Sequence, residues 1–344
     1  MDDLRVSVII PTHNRAALVL RAVTSVLRIV EPGDEVLVVD DGSTDGTEAA
    51  LAHYDGRIRY LRVPHGGAGA ARNHGIRAAR TPLVAFLDSD DEWAPDKLRL
   101  QRALLQQRPD VLFCFSDFSV RHESGRVTRR FLRNWHRGEQ DWDAILGPGV
   151  WYSSRAALPP GRDDFRVHVG DLYLPQLRAN HVFTSTLVVR REPAGAALRF
   201  AEDLPTFEDT ECYARLAGAG LAAYLDCETA WQWGHRGHRL THADEYVCGT
   251  TRLTILERIW GRDEAFLARH GDRYREAVAA QHRKRARWLL KEGRTREALA
   301  ELRSAGGGPP TYHFLAALPG WLIPVPLIRR LRGARRALLG RGWL

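Results

Sequence analysis

The chain has 344 residues, 27% charged and 44% hydrophobic, enough for one large domain or two with a ligand cleft. Its four scattered cysteines, Cys114, Cys212, Cys227 and Cys248, form no CxxC pair, which argues against a zinc module or a disulfide-dense secreted scaffold and fits a reducing cytoplasm. Residues 281–344 carry 14 Lys/Arg and 3 Asp/Glu, a net of +11 against +8 for the whole chain, so residues 1–280 sum to −3. A basic tail on a near-neutral body suits an anionic surface, with phospholipid headgroups the first candidate and nucleic acid the second. Met1-Asp2-Asp3 leads directly into a strand-like run without a signal-peptide pattern, and no apolar stretch is long enough to span a bilayer uninterrupted.

Apolar runs at Val6 to Ile10, Glu35 to Val39, Ile58 to Val63, Leu83 to Leu87 and Val111 to Phe115 read as buried strands. Between them, Ala16 to Val30, Thr44 to Tyr54, Gly69 to Ala79 and Pro95 to Gln107 have helical apolar spacing. This alternation predicts a parallel sheet covered on both faces, with ligands at the carboxyl ends of its strands. The polar clusters fall at those ends: Thr12-His13-Asn14-Arg15, Asp40-Asp41-Gly42-Ser43 and Asp88-Ser89-Asp90-Asp91.

From Ser119 to Asn180 the pattern dissolves into an aromatic-rich stretch of loops and short elements. A strand at Val182 to Val189 and a helix opening at Phe207-Glu208-Asp209 follow, then a strand at Ala222 to Asp226. Residues 244–303 read as helical with a hairpin at Gly293, and residues 306–310 as a linker.

A cluster such as Asp88-Ser89-Asp90-Asp91 offers hard oxygen ligands to Mg²⁺ or Mn²⁺, which bind through one or two carboxylates completed by phosphate and water. Taken alone it fits a solvated turn or a helix cap better than a metal site. The glycines of Gly66-Gly67-Ala68-Gly69 lack GxGxxG spacing, so they read as a close backbone approach to a ligand or a turn, and no dinucleotide fingerprint is present.

Taken in order, Val6 to Arg15, Val38 to Asp45 and Ala71-Arg72-Asn73 through Asp91 resemble glycosyltransferase family 2, tightly over residues 4–118 and more loosely over 180–245. The resemblance implies an α/β, GT-A-type, Rossmann-like fold: a mostly parallel sheet flanked by helices, with inversion at the anomeric carbon. It divides the chain into a glycosyltransferase domain at 1–243, a helical extension at 244–305 and a basic apolar tail at 306–344. Within the first of these, residues 1–118 bind the nucleotide-sugar and residues 119–243 serve the acceptor and catalysis. The resemblance also implies that Asp41 pairs with the base and that Arg72 with the Pro11, Thr12, Asn14, Arg15 loop frames the nucleoside. Asp88, Ser89 and Asp90 then hold ribose and metal-diphosphate, with Asp90 the direct ligand of Mn²⁺ or Mg²⁺. His65 departs from the Asn that many members carry there.

Inverting transfer needs a base for the acceptor hydroxyl. By resemblance Asp209 is that base and Glu208 its neighbouring orienter; the competing reading makes Asp209 a helix cap. In Trp233-Gly234-His235-Arg236-Gly237 the resemblance lets His235 reach the metal or diphosphate, against a reading as one histidine of a histidine-rich loop. In the tail, Trp321-Leu322-Ile323 beside Arg329 to Arg336 suits a membrane interface, against a reading as a tail that packs on the body or pairs with a partner chain, and Pro319, Pro324 and Pro326 oppose a continuous spanning helix. The expected protein is a cytoplasmic enzyme, peripheral at the inner face of a membrane. It takes a UDP- or dTDP-sugar donor and a hydroxyl acceptor that is a glycan, lipid-linked or a natural product. The rivals are a nucleotidyltransferase, whose Gly- and Lys/Arg-rich loop is missing after the first strand, and a non-catalytic nucleotide-binding protein with a basic interaction tail.

Overall fold

The structure, a computed structural model, describes residues 4–136, 139–234 and 244–306. The chain divides into two compact units, residues 1–239 and 240–344.

The first unit is built on one sheet. Strands β1 (Val6–Thr12), β2 (Glu35–Asp40), β3 (Arg59–Arg62) and β4 (Leu83–Phe86) lie in the order β3-β2-β1-β4, all parallel. Every residue of β1 is buried, as expected for a strand covered on both faces, whose sequence is mostly apolar and does not alternate. The helices Ala16–Leu27 and Gly67–Ala78 follow β1 and β3. Gly75 lets the second of these lie directly on β1, because a Cβ there would stand 2.4 Å from Ile9 Cγ2.

The remaining strands are β5 (Asp91–Trp93), β6 (Val111–Arg121), β7 (Val127–Thr128), β8 (Val150–Trp151), β9 (Arg166–Gly170), β10 (Val188–Arg190) and β11 (Leu221–Trp233). The sheet continues β4-β10-β6-β11-β9-β8, while β5 pairs with β11 and β7 with β6 off this path. Strand β10 runs antiparallel to both neighbours, and β11 runs parallel to β6. The fold class is the expected one: a mixed α/β sheet with flanking helices and a helical C-terminal region.

Several element boundaries differ from those expected; strand β6, for one, runs past Phe115 to Arg121. Strand β1 runs on to Thr12, so Pro11 and Thr12 pair with Val39 and Asp40 inside the sheet and do not belong to the loop. The expected strand Val182 to Val189 shrinks to the three residues of β10, preceded by a 3₁₀ turn at Thr184–Thr186. The hydroxyls of this turn are buried and bonded: Thr184 to the Tyr213 hydroxyl at 2.5 Å, Ser185 to Asp91 at 2.6 Å and Thr186 to the Phe183 carbonyl at 2.8 Å. The last of these is a local side-chain to backbone bond of the kind that competes with a strand ladder. Strand β11 is longer than expected, because register shifts around Glu228 let it bend and keep pairing with β6 up to Trp233.

The aromatic stretch before residue 180 contributes to the core as well as to the surface. Trp142 is buried and stacks on Tyr224 with ring centroids 3.7 Å apart, whereas Trp135 and Trp151 are exposed. In the second unit, helices Glu245–Ile259, Glu264–Lys291 and Thr295–Ser304 follow one another, with Gly293 supplying the left-handed turn (φ 74°) of the expected hairpin. Glu301 joins the last two through His282 Nδ1 and Arg285 Nη2, each at 2.8 Å. No helix among the described residues is long and apolar enough to cross a membrane.

Candidate active site

The carboxyl ends of β1, β2 and β4 carry the three polar clusters, and the turns between strand and helix lock them together. Asn14 takes a left-handed conformation (φ 49°), and its Oδ1 accepts the backbone N–H groups of Thr44 at 2.8 Å and Asp45 at 3.3 Å. Its own N–H donates to Ser43 Oγ at 2.9 Å. Asn14 therefore pins the loop after β1 to the loop after β2. Thr12 Oγ1 lies buried beneath this junction without a hydrogen-bond partner among the described residues.

Asp41 is buried, and its two carboxylate oxygens accept the N–H groups of Gly66 at 2.7 Å and Gly67 at 2.8 Å. His65 Nδ1 lies 2.9 Å from its Oδ2. His13 Nδ1 bonds the Asp41 carbonyl at 2.7 Å, and the His13 and His65 rings stack with centroids 4.3 Å apart.

Arg72, on the Gly67–Ala78 helix, is buried between two carboxylates: Nη2 donates to Asp88 at 2.7 Å and Nη1 to Glu208 at 2.9 Å. Burial works against its charge, but Asp88 and Glu208 outweigh it and hold the guanidinium pKa above its ordinary value. Arg15 reaches across to the segment after β4, 3.1 Å from Asp90 Oδ2 and 3.5 Å from Ser89 Oγ. Arg21, which the sequence did not single out, holds the Asp90 carbonyl at 3.1 Å and pairs with Glu92 at 2.8 Å.

Glu208 and Asp209 open the Glu208–Ala219 helix, just after Phe207 in a left-handed conformation (φ 60°) that turns the chain into it. Asp209 does not cap the helix; Phe207 stands at that position and makes no side-chain cap. Asp209 Oδ1 instead accepts the Thr210 N–H at 2.6 Å. Burial, and then the charge of Glu208, push the Asp209 carboxyl up to about 7, with Arg72 opposing. Among the proposed site residues, His235 lies outside the described residues.

Ser185, from the turn before β10, is the organising residue that the sequence concealed. Its hydroxyl donates to Asp91 at 2.6 Å and accepts the Asp88 N–H at 3.2 Å, and its carbonyl accepts Trp93 Nε1 at 2.6 Å. Ser185→Ala leaves a buried carboxylate and a backbone N–H short of a partner, so about 1–3 kcal/mol of stability is expected to be lost. Urea unfolding checks that figure.

The model for "Glycosyl transferase family 2" matches residues 7–157, the stretch of the chain that carries all three clusters. Residues 7–157 carry a glycosyltransferase family 2 domain. A UDP-Glc:alpha-D-GlcNAc-diphosphoundecaprenol beta-1,3-glucosyltransferase of Escherichia coli, WfgD, is 34% identical over 122 residues, 35% of this chain and 48% of that protein. The chain spans about half the length, or less, of the curated relatives it matches. Among solved structures, S. aureus TarS in complex with UDP-GlcNAc superposes with a TM-score of 0.60 at 18% identity, covering 92% of this chain and 82% of that one. The mannosyltransferase PcManGT from Pyrobaculum calidifontis, in complex with GDP-Man and Mn²⁺, gives 0.52 at 20% identity, covering 96% and 84%. These likenesses show a shared GT-A-type glycosyltransferase fold.

Proposed function

We propose that the chain moves a sugar, with inversion, from a nucleotide diphosphate-sugar to an acceptor hydroxyl. The observation that carries this reading is the position of Arg72, which ties Asp88 on the nucleotide side to Glu208 beside Asp209. The donor end and the carboxylate pair therefore belong to one cleft. In this reading Asp41 takes the nucleobase edge, as a buried and oriented carboxylate. Asn14 and Arg15, with Pro11 and Thr12 beneath them, shape the floor under the nucleoside, and Asp88 with Ser89 faces the ribose. TarS in complex with UDP-GlcNAc supports a uridine donor, and the choice between UDP and dTDP is left to experiment.

Asp88 and Asp90 present only oxygen ligands, a donor set that fits Mg²⁺ or Mn²⁺ and a diphosphate. Asp90 would hold the ion, with His235 a further ligand. When bound, the ion neutralises charge that develops on the leaving diphosphate. The work of the chain's own groups is separate: Asp209 accepts the proton of the acceptor hydroxyl, while Arg72 fixes Glu208 so that the neighbouring carboxylate keeps its position.

The acceptor is proposed to be a lipid-linked glycan precursor, as the name of WfgD describes for that protein, and the activity to belong to polysaccharide biosynthesis at the inner face of a membrane. Removing residues 309–344 is expected to abolish sedimentation with acidic vesicles and leave transfer to a small soluble acceptor. Each basic residue near such a surface is worth on the order of 1 kcal/mol. High salt should weaken the binding only partly, because the apolar contribution of Trp321, Leu322 and Ile323 remains. Full-length protein that ignores acidic vesicles at low salt would remove the lipid-linked acceptor from the proposal. The overall reading is tested by thermal shift against a panel of nucleotide-sugars with and without Mn²⁺, followed by hydrolysis assays on the hits. Donor stabilisation without any turnover would instead mark a binding protein.

A further inference from the structure

We propose that His13, Asp41 and His65 form a second cation site, suited to a borderline transition ion such as Zn²⁺, at the nucleobase end of the donor cleft. One ring nitrogen from each histidine and one carboxylate oxygen of Asp41 lie within 4.8 Å of one another. Two imidazoles and a carboxylate make a three-ligand set with an open position, the pattern that zinc accepts. Imidazole nitrogen also separates this set from the oxygen-only ligands of Asp88 and Asp90, because it favours Zn²⁺, Ni²⁺ or Cu²⁺ over Mg²⁺ and Mn²⁺.

The surroundings are built for such a role. The N–H groups of Gly66 and Gly67 hold the Asp41 carboxylate in one orientation, as outer partners hold metal ligands elsewhere. His13 Nδ1 donates to the Asp41 carbonyl at 2.7 Å, which orients the ring and leaves Nε2 to take the ion in exchange for its contact with Asn14 Nδ2 at 3.1 Å. The His65 side chain is 62% exposed, so it is the ligand with room to swing. Ligands at about 2.0–2.1 Å from a tetrahedral ion sit roughly 3.3 Å apart, so the cluster must contract slightly, and His65 is able to supply that movement.

The site stands on this geometry alone. Its consequence, that the ion and the donor exclude one another, rests on Asp41 as the nucleobase partner. The two are separated by experiment with Co²⁺, a spectroscopic stand-in for silent Zn²⁺, on tag-free full-length protein. Wild type is expected to develop the visible absorption of a low-coordinate Co²⁺ site. His13→Ala and His65→Ala should each weaken Co²⁺ binding by roughly tenfold or more, since loss of even an outer partner costs 10–100-fold. Asp90→Asn should leave the absorption in place. Equal Co²⁺ affinity in wild type and both histidine variants overturns the site, whatever other histidines bind. Saturating UDP is expected to abolish the absorption; UDP that binds while the absorption persists overturns the shared seat. UDP that does not bind at all counts against the donor reading, and the histidine variants still decide the cation site.

Discussion

Asp209→Asn is expected to lower turnover by roughly 10²–10⁴-fold with little change in donor affinity, the range that a positioned general base contributes. The change is nearly isosteric, and an amide oxygen can still accept the Thr210 N–H that Oδ1 accepts now. What disappears is the group able to take a proton. The wild-type carboxyl, pushed up to about 7 by burial and by Glu208, must be ionised to act. The kcat/KM of wild type is therefore expected to rise about tenfold per pH unit below that value and to level off above it. In Asp209→Asn this rise should vanish. Glu208→Gln makes the contrast: it removes one of the two carboxylates that hold Arg72, so donor affinity should fall along with turnover. Measuring donor Kd and kcat for both variants separates the roles, and a large loss of donor binding in Asp209→Asn would place that residue in the donor pocket.

The features of this site legible in the sequence are those set by short-range pattern. Apolar runs gave the parallel strands, and polar clusters at their carboxyl ends gave the cleft, because a carboxylate inside a strand covered on both faces costs free energy unless it is paired. What stayed hidden depends on pairings distant along the chain. Arg72 and Glu208 are 136 residues apart, and Ser185 and Asp91 are 94 apart. Ser185 was further disguised by its neighbours, since Val182, Phe183, Leu187 and Val188 read as one strand although buried hydroxyls between them fold the chain into a turn. Arg21 read as a polar position of an amphipathic helix, and only the pairing of β5 with β11 brings Glu92 and the Asp90 carbonyl to it. The histidine stack is a third case, because His13 and His65 meet only once β1 and β2 pair and the loop after β3 folds back over Asp41.

Asp90→Asn is expected to remove Mn²⁺-linked donor binding and to lower turnover by roughly 10²–10³-fold. A metal acting on the departing diphosphate supplies several kcal/mol, and each 1.36 kcal/mol is tenfold in rate. The fold should survive. Asn Oδ1 can keep the contact with Arg15, now 3.1 Å from Asp90 Oδ2, and Arg21 grips the backbone carbonyl whatever the side chain is. The Arg15 pair lies near the surface, and such pairs are worth about 1 kcal/mol or less, so the melting temperature without ligand should move little. With donor present the two proteins should diverge. Mn²⁺ should raise the melting temperature of wild type further in the presence of a nucleotide-sugar and add nothing in Asp90→Asn, since only binding to the folded state stabilises it. Turnover that stays Mn²⁺-dependent and undiminished in this variant would move the ion away from Asp90 and leave Asp88 or His235 to hold it.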